Sequence, residues 1–310
     1  MRKIVIIGYG PTGQATAEIL AKRSESLRIA QRRKPPHLPA GAEFVACDVL
    51  DAASVRAAVG DAAQVVLSIG FVYDGAVWRA SWPRAMQNVL QACEAAGARL
   101  VFFDNLYMYG PQNAPLKETM PLTNYGVKPA VRADITRLWQ AAHASGRVKV
   151  VAVRAPDFYG PDVGLSAIGD TGFGAIAKGQ PAMSIGSPDL PHEFAYVPDC
   201  GRAVVSLLDA PDADFGRAWH VPSAPTRTAR EILAIGAAAI GKPLKIRVLP
   251  LWALRPMGLF IPILKGFVEQ KFIWDRPYRV DAGDFCKRFW NDPTPFEVGA
   301  PAPARSFLKA

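Results

Sequence analysis

Ile4-Val5-Ile6-Ile7-Gly8-Tyr9-Gly10-Pro11-Thr12-Gly13 is the stretch that decides the fold. Four β-branched residues in a row fit a strand buried on both faces, and the run stops at a glycine. The next six residues fit G-x-G-x-x-G. Pro11 to Lys22 then reads as a helix, with Pro11 where a first turn tolerates it. In a strand–turn–helix setting each glycine has its own task. The first permits the tight turn, the second lets a pyrophosphate approach the backbone, and the third lets the helix pack on the strand. The helix start adds oriented N–H groups and positive potential. Gly8, Gly10, Pro11, Thr12 and Gly13 are therefore expected to hold the diphosphate of a dinucleotide. The competing reading is a plain glycine turn.

Strands and helices alternate outward from this point. Leu27 to Ala30 and Glu43 to Ala46 read as short strands, Ser54 to Val59 as a short helix, and Gln64 to Ile69 as a buried strand. Trp82 to Ala96 is a helix closed by Gly97, and Arg99 to Phe103 a strand. Pro129 to Ser145 is a helix closed by Gly146, and Val148 to Val153 the sixth strand. This spacing implies right-handed crossovers, hence an α/β fold: a Rossmann-type doubly wound parallel sheet. Residues 1–155 are expected to form the dinucleotide-binding core. Residues 156–310, richer in Gly and Pro, are expected to form mainly a smaller C-terminal substrate lobe. A segment at about 195–220 returns to the core, and the helices Cys200 to Leu208 and Ala229 to Ala239 are candidates for the sheet. The tail, Pro301 to Ala310, reads as loosely held.

The segment after the second strand separates the two nicotinamide dinucleotides. An NAD site usually places an acid there for the ribose 2′-OH. Here the residues are Gln31-Arg32-Arg33-Lys34. Guanidinium groups suit a 2′-phosphate by charge and fork geometry, so Arg32 and Arg33 favour NADP over NAD. The alternative is a solvated basic strand end. Asp48 and Val49, after the third strand, are placed near the adenine, or Asp48 is a turn aspartate. Ser68, Ile69 and Gly70 end the fourth strand, where the sheet edge meets the middle of the cofactor.

Composition agrees. The chain has 310 residues, half of them apolar, and a net charge of +9, which excludes wholesale disorder. Arg32, Arg33, Lys34, Lys128 and Arg132 account for over half of that excess by count, so the basic balance points first to an anionic cofactor. No nucleic-acid reader motif is present. Cys47, Cys93, Cys200 and Cys286 are scattered, with neither metal-ligand nor disulfide spacing, which suggests reduced thiols and a cytoplasmic location. No signal peptide is expected, because the apolar run after Lys3 ends at Gly8. Val248 to Val268 is the most apolar stretch, but prolines and basic residues break it below the length of a membrane span.

Downstream segments carry a resemblance. Phe102 to Gly110 (FFDNLYMYG), Arg154 to Pro161 (RAPDFYGP) and Phe194 to Asp199 (FAYVPD), with the glycine loop, resemble the extended short-chain dehydrogenase/reductase superfamily, in its NAD-dependent epimerase/dehydratase group. The resemblance spans nearly the whole chain. It implies a sheet of about seven strands with a substrate lobe, and reversible hydride transfer used for epimerisation, dehydration or reduction, often on nucleotide sugars. It also implies a catalytic set: a Ser or Thr that orients the substrate, a Tyr that moves a proton, and a Lys four residues later that lowers the tyrosine pKa and holds the nicotinamide ribose.

The chain departs from that set. Asn105 stands at the Ser/Thr position, four residues before Tyr109, and can donate a hydrogen bond but cannot relay a hydroxyl proton. In Asn124-Tyr125-Gly126-Val127-Lys128-Pro129 the lysine follows Tyr125 by three residues, and Pro129 takes the fourth place. Proline at that point is expected to push Lys128 out of helical geometry. A second register, slightly preferred, puts Lys128 at the tyrosine place and Arg132 at the lysine place. Asn105, Tyr125 and Lys128 are the catalytic candidates, and Arg132 a cofactor-binding one.

Asp157, Tyr159 and His192 are candidate substrate contacts, with a surface-loop role the alternative for His192. Asp199 reads as an N-cap, and His143 as a charge near a helix end. His37 and His220 have no evident partner. Trp82, Met86 and Leu90 lie at helical spacing and read as a packed face or a homodimer face. Leu251 to Phe267 reads as core or as a lid over an apolar substrate. Two function classes follow: an NADP-dependent oxidoreductase or epimerase/dehydratase-like enzyme acting on a small-molecule carbonyl or alcohol with altered catalytic residues, and a non-catalytic NADP-binding sensor or scaffold.

Overall fold

A parallel sheet grows outward from the strand that opens the chain. The computed structural model describes residues 2–23, 25–260 and 262–309. The strands are β1 (Lys3–Ile7), β2 (Ser26–Gln31), β3 (Glu43–Ala46), β4 (Gln64–Leu67), β5 (Arg99–Asp104) and β6 (Val150–Arg154), with Ala218–His220 as the seventh. Their order is Ala218–His220, β6, β5, β4, β1, β2, β3. The five pairings from β6 to β3 are all parallel. At the outer edge, Gly216 N–H donates to Val150 C=O at 2.7 Å and Ala152 N–H to Arg217 C=O at 3.1 Å. The strand order reverses between β1 and β4. That switch point is where open α/β sheets leave a crevice beyond the carboxyl ends of their strands.

Helices α1 (Pro11–Ala21), α2 (Ala52–Val59), α3 (Gly75–Ala96) and α4 (Lys128–Ala144) connect the strands. The Asp51 carboxylate caps α2 by accepting from Ala53 and Ser54 N–H, and Asp74 caps α3 by accepting from Ala76 and Val77 N–H. Gly97 ends α3 in the left-handed conformation. Two expectations need correction here. Helix α3 starts at Gly75, a full seven residues before Trp82, because the Asp74 cap nucleates it and Pro83 is tolerated inside. Pro83 removes only the bond that the Arg79 carbonyl would accept. Helix α4 starts at Lys128, so Pro129 does not expel Lys128; it sits in the first turn, where a missing N–H costs nothing.

The chain divides into two compact units. The first runs to Tyr109 and includes Pro121–Arg154 and Cys200–Trp219. Its core holds Val5, Val65, Leu67, Trp82, Met86, Val89, Leu90, Phe102, Trp139 and Val150. Trp82, Met86 and Leu90 are thus packed inside this unit. The helix Val197–Asp209 is tied to the N-terminal strands. Gln64 donates to the Leu208 carbonyl at 2.7 Å, as Arg99 does at 2.6 Å, and Arg2 meets Asp209 at 2.7 Å.

The second unit holds Gly110–Met120, Ala155–Asp199 and the chain from His220 onward. Tyr159, Phe173, Phe194, Ile232, Leu233, Phe296, Ala300 and Ala304 form its core. Helix Ala229–Ala239 belongs to this unit and opens with a capping box between Thr228 and Glu231. The tail is not loose: Pro301–Lys309 is helical and buries Ala304, while Ala310 lies outside the described residues. The apolar segment from Leu251 to Phe267 is neither one core element nor one helix, and Ile261 within it lies outside the described residues.

Candidate active site

The glycine loop is built as its sequence implies. Gly8 has φ +98°, and a Cβ there would lie 2.5 Å from the Ser68 carbonyl oxygen and 2.8 Å from Ile69 Cγ2. A Cβ on Gly13 would lie 2.2 Å from the Gly8 carbonyl oxygen. Both positions are closed to any larger residue. Gly10 differs, since a Cβ there would meet nothing within 4 Å. The space over Gly10 is therefore open at the start of α1. No side chain caps that helix start and no acid occupies its first turn. Its donors and positive potential suit a diphosphate, so the loop fits a dinucleotide. Ser68 belongs to the same switch point. Its N–H donates to the Ile7 carbonyl at 2.9 Å and its hydroxyl to the Gly8 carbonyl at 2.8 Å. Ile69 and Gly70 follow it along the crevice.

At the end of β2 the Gln31 amide is spent on the loops themselves. It accepts from Tyr9 N–H at 3.2 Å and donates to the Arg33 carbonyl at 2.8 Å. Arg32, Arg33 and Lys34 are exposed just beyond. The Asp48 carboxylate accepts from Leu50 N–H at 2.9 Å, which makes it a turn former. The Val49 carbonyl accepts from Asn88 Nδ2 at 3.0 Å.

A charge network that sequence reasoning missed lies under the crevice. Asp104 ends β5, Arg154 ends β6, and the two are register partners. Asp104 Oδ1 accepts from Arg132 Nη1 at 2.9 Å and from Asn105 N–H at 2.8 Å, while its Oδ2 lies 3.5 Å from Arg154 Nε. Arg154 also donates to the Tyr109 hydroxyl at 2.6 Å and to Thr136 Oγ1 at 2.9 Å. The Arg132 guanidinium lies 3.7 Å from the Trp82 ring centroid and 4.8 Å from that of Trp78. Burial pulls Arg132 below the ordinary arginine value, and the Asp104 carboxylate opposes that pull. Arg132, expected at the cofactor, is turned into the protein, because its charge needs Asp104. The signal was available: two charged residues each end an apolar strand.

Lys128, the first residue of α4, is 1% exposed, with Nζ 4.7 Å from the Tyr73 ring centroid. Tyr73 meets Trp78 edge-on at 5.8 Å, and Trp78 stacks with Tyr107 at 6.2 Å, so an aromatic wall borders the lysine. Tyr125 lies in the preceding loop, 39% exposed, its N–H donating to Thr123 Oγ1. The helix face thus brings Lys128 and Arg132 together and leaves Tyr125 outside. Asn105 Oδ1 accepts from Tyr107 N–H at 3.0 Å, which leaves its amide nitrogen as the group that can serve an oxygen.

In the second unit, His192 and Asp157 form a pair at 2.9 Å. His192 is no surface-loop residue; it is buried between Phe194 at 4.6 Å and Tyr278 at 5.0 Å. Tyr159, expected at the substrate, is buried against Tyr196 and Phe296, and a Cβ on Gly299 would lie 2.4 Å from its hydroxyl. It is a packing residue. Asp199 is not an N-cap: the helix starts at Val197, and Asp199 accepts from Thr294 N–H at 2.8 Å. His220 has partners after all. Its Nδ1 lies 3.0 Å from the Asp281 carbonyl, and its N–H donates to Glu118 at 2.9 Å. In the first unit, His143 lies in the last turn of α4 as expected, and its Nδ1 accepts from Val150 N–H at 3.2 Å.

Burial pushes the Glu193 carboxyl up, opposed by the Thr226 hydroxyl donating at 2.6 Å and by His192. The folded chain then holds this proton more tightly than the unfolded chain does. Rising pH costs stability from the ordinary value of 4.5 upward, until the folded group ionises. Glu193→Gln keeps an acceptor for Thr226 and removes the titration. Melting curves from pH 4.5 to neutrality should show the variant gaining on the native chain as pH rises; a constant difference would contradict this origin.

Among the described residues, no cluster of three or more His, Cys, Asp or Glu could hold a metal ion. Burial pushes the Cys93 thiol up to about 12, which keeps it protonated.

Solved structures share this architecture. UDP-glucuronic acid 4-epimerase from Bacillus cereus, in complex with NAD, is 15% identical and matches with a TM-score of 0.81 over 99% of each chain. The Bordetella bronchiseptica enzyme WbmH, in complex with NAD+, is 20% identical with a TM-score of 0.78 over 99% of this chain and 98% of that one. UDP-glucose 4-epimerase of Thermus thermophilus, in complex with NAD, is 19% identical with a TM-score of 0.76 over 99% of each. At these identities the likeness shows the fold. No curated protein matches the sequence. The profile of one family matches residues 4–221, which takes in the glycine loop, the Asp104 network and Lys128. The chain belongs to the NAD dependent epimerase/dehydratase family.

Proposed function

We propose that this protein is an NADP-preferring enzyme of its family that interconverts an alcohol and a carbonyl on a small molecule, with Lys128 in the proton-transferring role. The observation that carries this reading is the start of α4 at Lys128. In the register read from the sequence, the buried Lys128 takes the family's tyrosine place, and that helix start supports it, with Tyr125 in the loop before. When bound, the dinucleotide supplies hydride acceptance and donation. The glycine loop holds the diphosphate, and Arg32 and Arg33 pair with a 2′-phosphate. Gln31, spent on Tyr9 and Arg33, offers no carboxylate to a 2′-hydroxyl. Lys128 Nζ gives or takes the proton at the reacting oxygen, and the Asn105 amide nitrogen donates to that oxygen.

Titration with NADPH, NADH and their oxidised forms tests the first half. Two charge-assisted contacts should favour NADPH by roughly tenfold or more. Arg32→Ala with Arg33→Ala should erase the preference and leave NADH binding unchanged. Tighter binding of NADH by the native chain would overturn it, in line with the NAD found in the three structures named above. The second half is read by the absorbance of reduced nicotinamide over a panel of nucleotide sugars and simple alcohols. Lys128→Met should cost on the order of 10²–10⁴ in turnover, and Tyr125→Phe little. A reversed result would restore Tyr125 as the catalytic group. Turnover of nothing, with NADPH still bound, would favour the sensor reading.

A further inference from the structure

The second unit displays apolar side chains that neither its core nor the site above uses. Trp252 is 76% exposed, Leu259 82% and Phe260 84%, and Val248 and Met257 are exposed beside them in sequence. The segment is anchored rather than loose. Ala253 and Leu254 are buried, and Leu251 packs where a Cβ on Gly186 would touch it at 3.4 Å. A 3-10 turn, Leu251–Ala253, runs directly into the helix Leu254–Met257. Exposed apolar groups of this size in one short stretch mark a contact surface.

Charge says what kind. Residues 241–271 hold six basic residues and one acid, Glu269, so this tenth of the chain carries +5 of the net +9. Lys242, Lys245, Arg247, Arg255 and Lys271 are all exposed. Tryptophan, phenylalanine and leucine set among lysines and arginines match the headgroup layer of an anionic bilayer. The rings and aliphatic chains enter the acyl boundary while the cations meet phosphate. A symmetric contact with a second copy would press two such basic surfaces together. Among the described residues no helix is long and apolar enough to cross a membrane, so the contact is with the surface.

We propose that Val248–Phe260, with its flanking basic residues, is a peripheral docking surface for anionic phospholipid membranes. Co-sedimentation of the full chain with vesicles tests this, using phosphatidylcholine alone and phosphatidylcholine mixed with phosphatidylglycerol. Binding is expected only to the anionic vesicles and should weaken with salt. Trp252→Ser with Phe260→Ser should lower the bound fraction more than tenfold. Arg247→Gln with Arg255→Gln should lower it about twenty-fivefold, at about fivefold per charge. Both variants alter exposed residues and should melt and bind NADPH like the native chain. No sedimentation with anionic vesicles at low salt would overturn the proposal, as would full binding by the apolar variant. A native chain that dimerises through this patch, with the apolar variant monomeric, would assign the surface to a second copy instead.

Discussion

Gly10→Ala should weaken dinucleotide binding about a hundredfold and leave the fold untouched, whereas Gly13→Ala should damage both. The two substitutions add the same methyl group three residues apart, and the surroundings decide the outcome. At Gly10 the backbone is extended, with φ −77° and ψ −172°, which any residue adopts, and the new Cβ enters open space. Its stability change should stay within roughly 0.5 kcal/mol. That open space is where a pyrophosphate must come, so the methyl should weaken NADPH binding on the order of a hundredfold. At Gly13 the Cβ would sit 2.2 Å from the Gly8 carbonyl oxygen, backbone against backbone. Strand β1 and helix α1 must separate, at roughly 2–4 kcal/mol. Paired measurements of melting temperature and NADPH affinity separate the cases. Undiminished NADPH affinity in Gly10→Ala would mean that the space above Gly10 is not where the ligand binds.

Asp104→Ala should be the most destabilising single change in the first unit. The carboxylate is fully buried and faces two guanidinium groups, Arg132 at 2.9 Å and Arg154 at 3.5 Å. Removing it leaves two buried cations to repel each other with no counter-charge. Breaking a buried pair in this way costs about 3–5 kcal/mol. The arginines also hold their neighbours, since Arg154 fixes Tyr109 and Thr136, and Arg132 lies against Trp78 and Trp82. Asp104→Leu combined with Arg132→Met should recover part of the loss, because one unpaired charge goes and the tryptophans gain an apolar neighbour. Denaturant unfolding of the single and double variants reads the coupling. Simple additivity would show that Asp104 and Arg132 act independently.

What the sequence disclosed was what local chemistry controls. Strand β1, the glycine turn and helix α1 were legible because all three signals sit within a dozen residues. Strand β3 and helix Ala229–Ala239 were legible to the residue, and the Thr228–Glu231 cap of the latter is a local signal the sequence also carries. Helix starts misled twice. Pro129 read as a boundary, yet it sits in the first turn of α4, and the start of α3 was missed because its cap, Asp74, lies well upstream of the apolar face that was read. The partners of Arg132, Arg154 and His192 were hidden because they depend on register between strands distant in sequence. Asp104 meets Arg154 only once β5 and β6 pair, and His192 meets Asp157 only once the second unit folds. The short strands of that unit, two to four residues each, carry no periodicity to read.

The sheet takes its last strand from far along the chain. Residues Ala218–His220 reach β6 only after the chain has left the first unit and passed through Ala155–Asp199 of the second. A fragment ending near residue 155 would hold every residue of the glycine loop and of the Asp104 network. It would still present Val150–Arg154, buried along its whole length in the intact protein, as a bare edge with unmet backbone groups. It would also strip Gln64 and Arg99 of the carbonyls they grip at Leu208. The cofactor-binding half is therefore not a detachable module. Its solubility depends on a latch synthesised late, and a ribosome stalled or a protease cutting before that latch leaves a species primed to aggregate rather than a working half-enzyme.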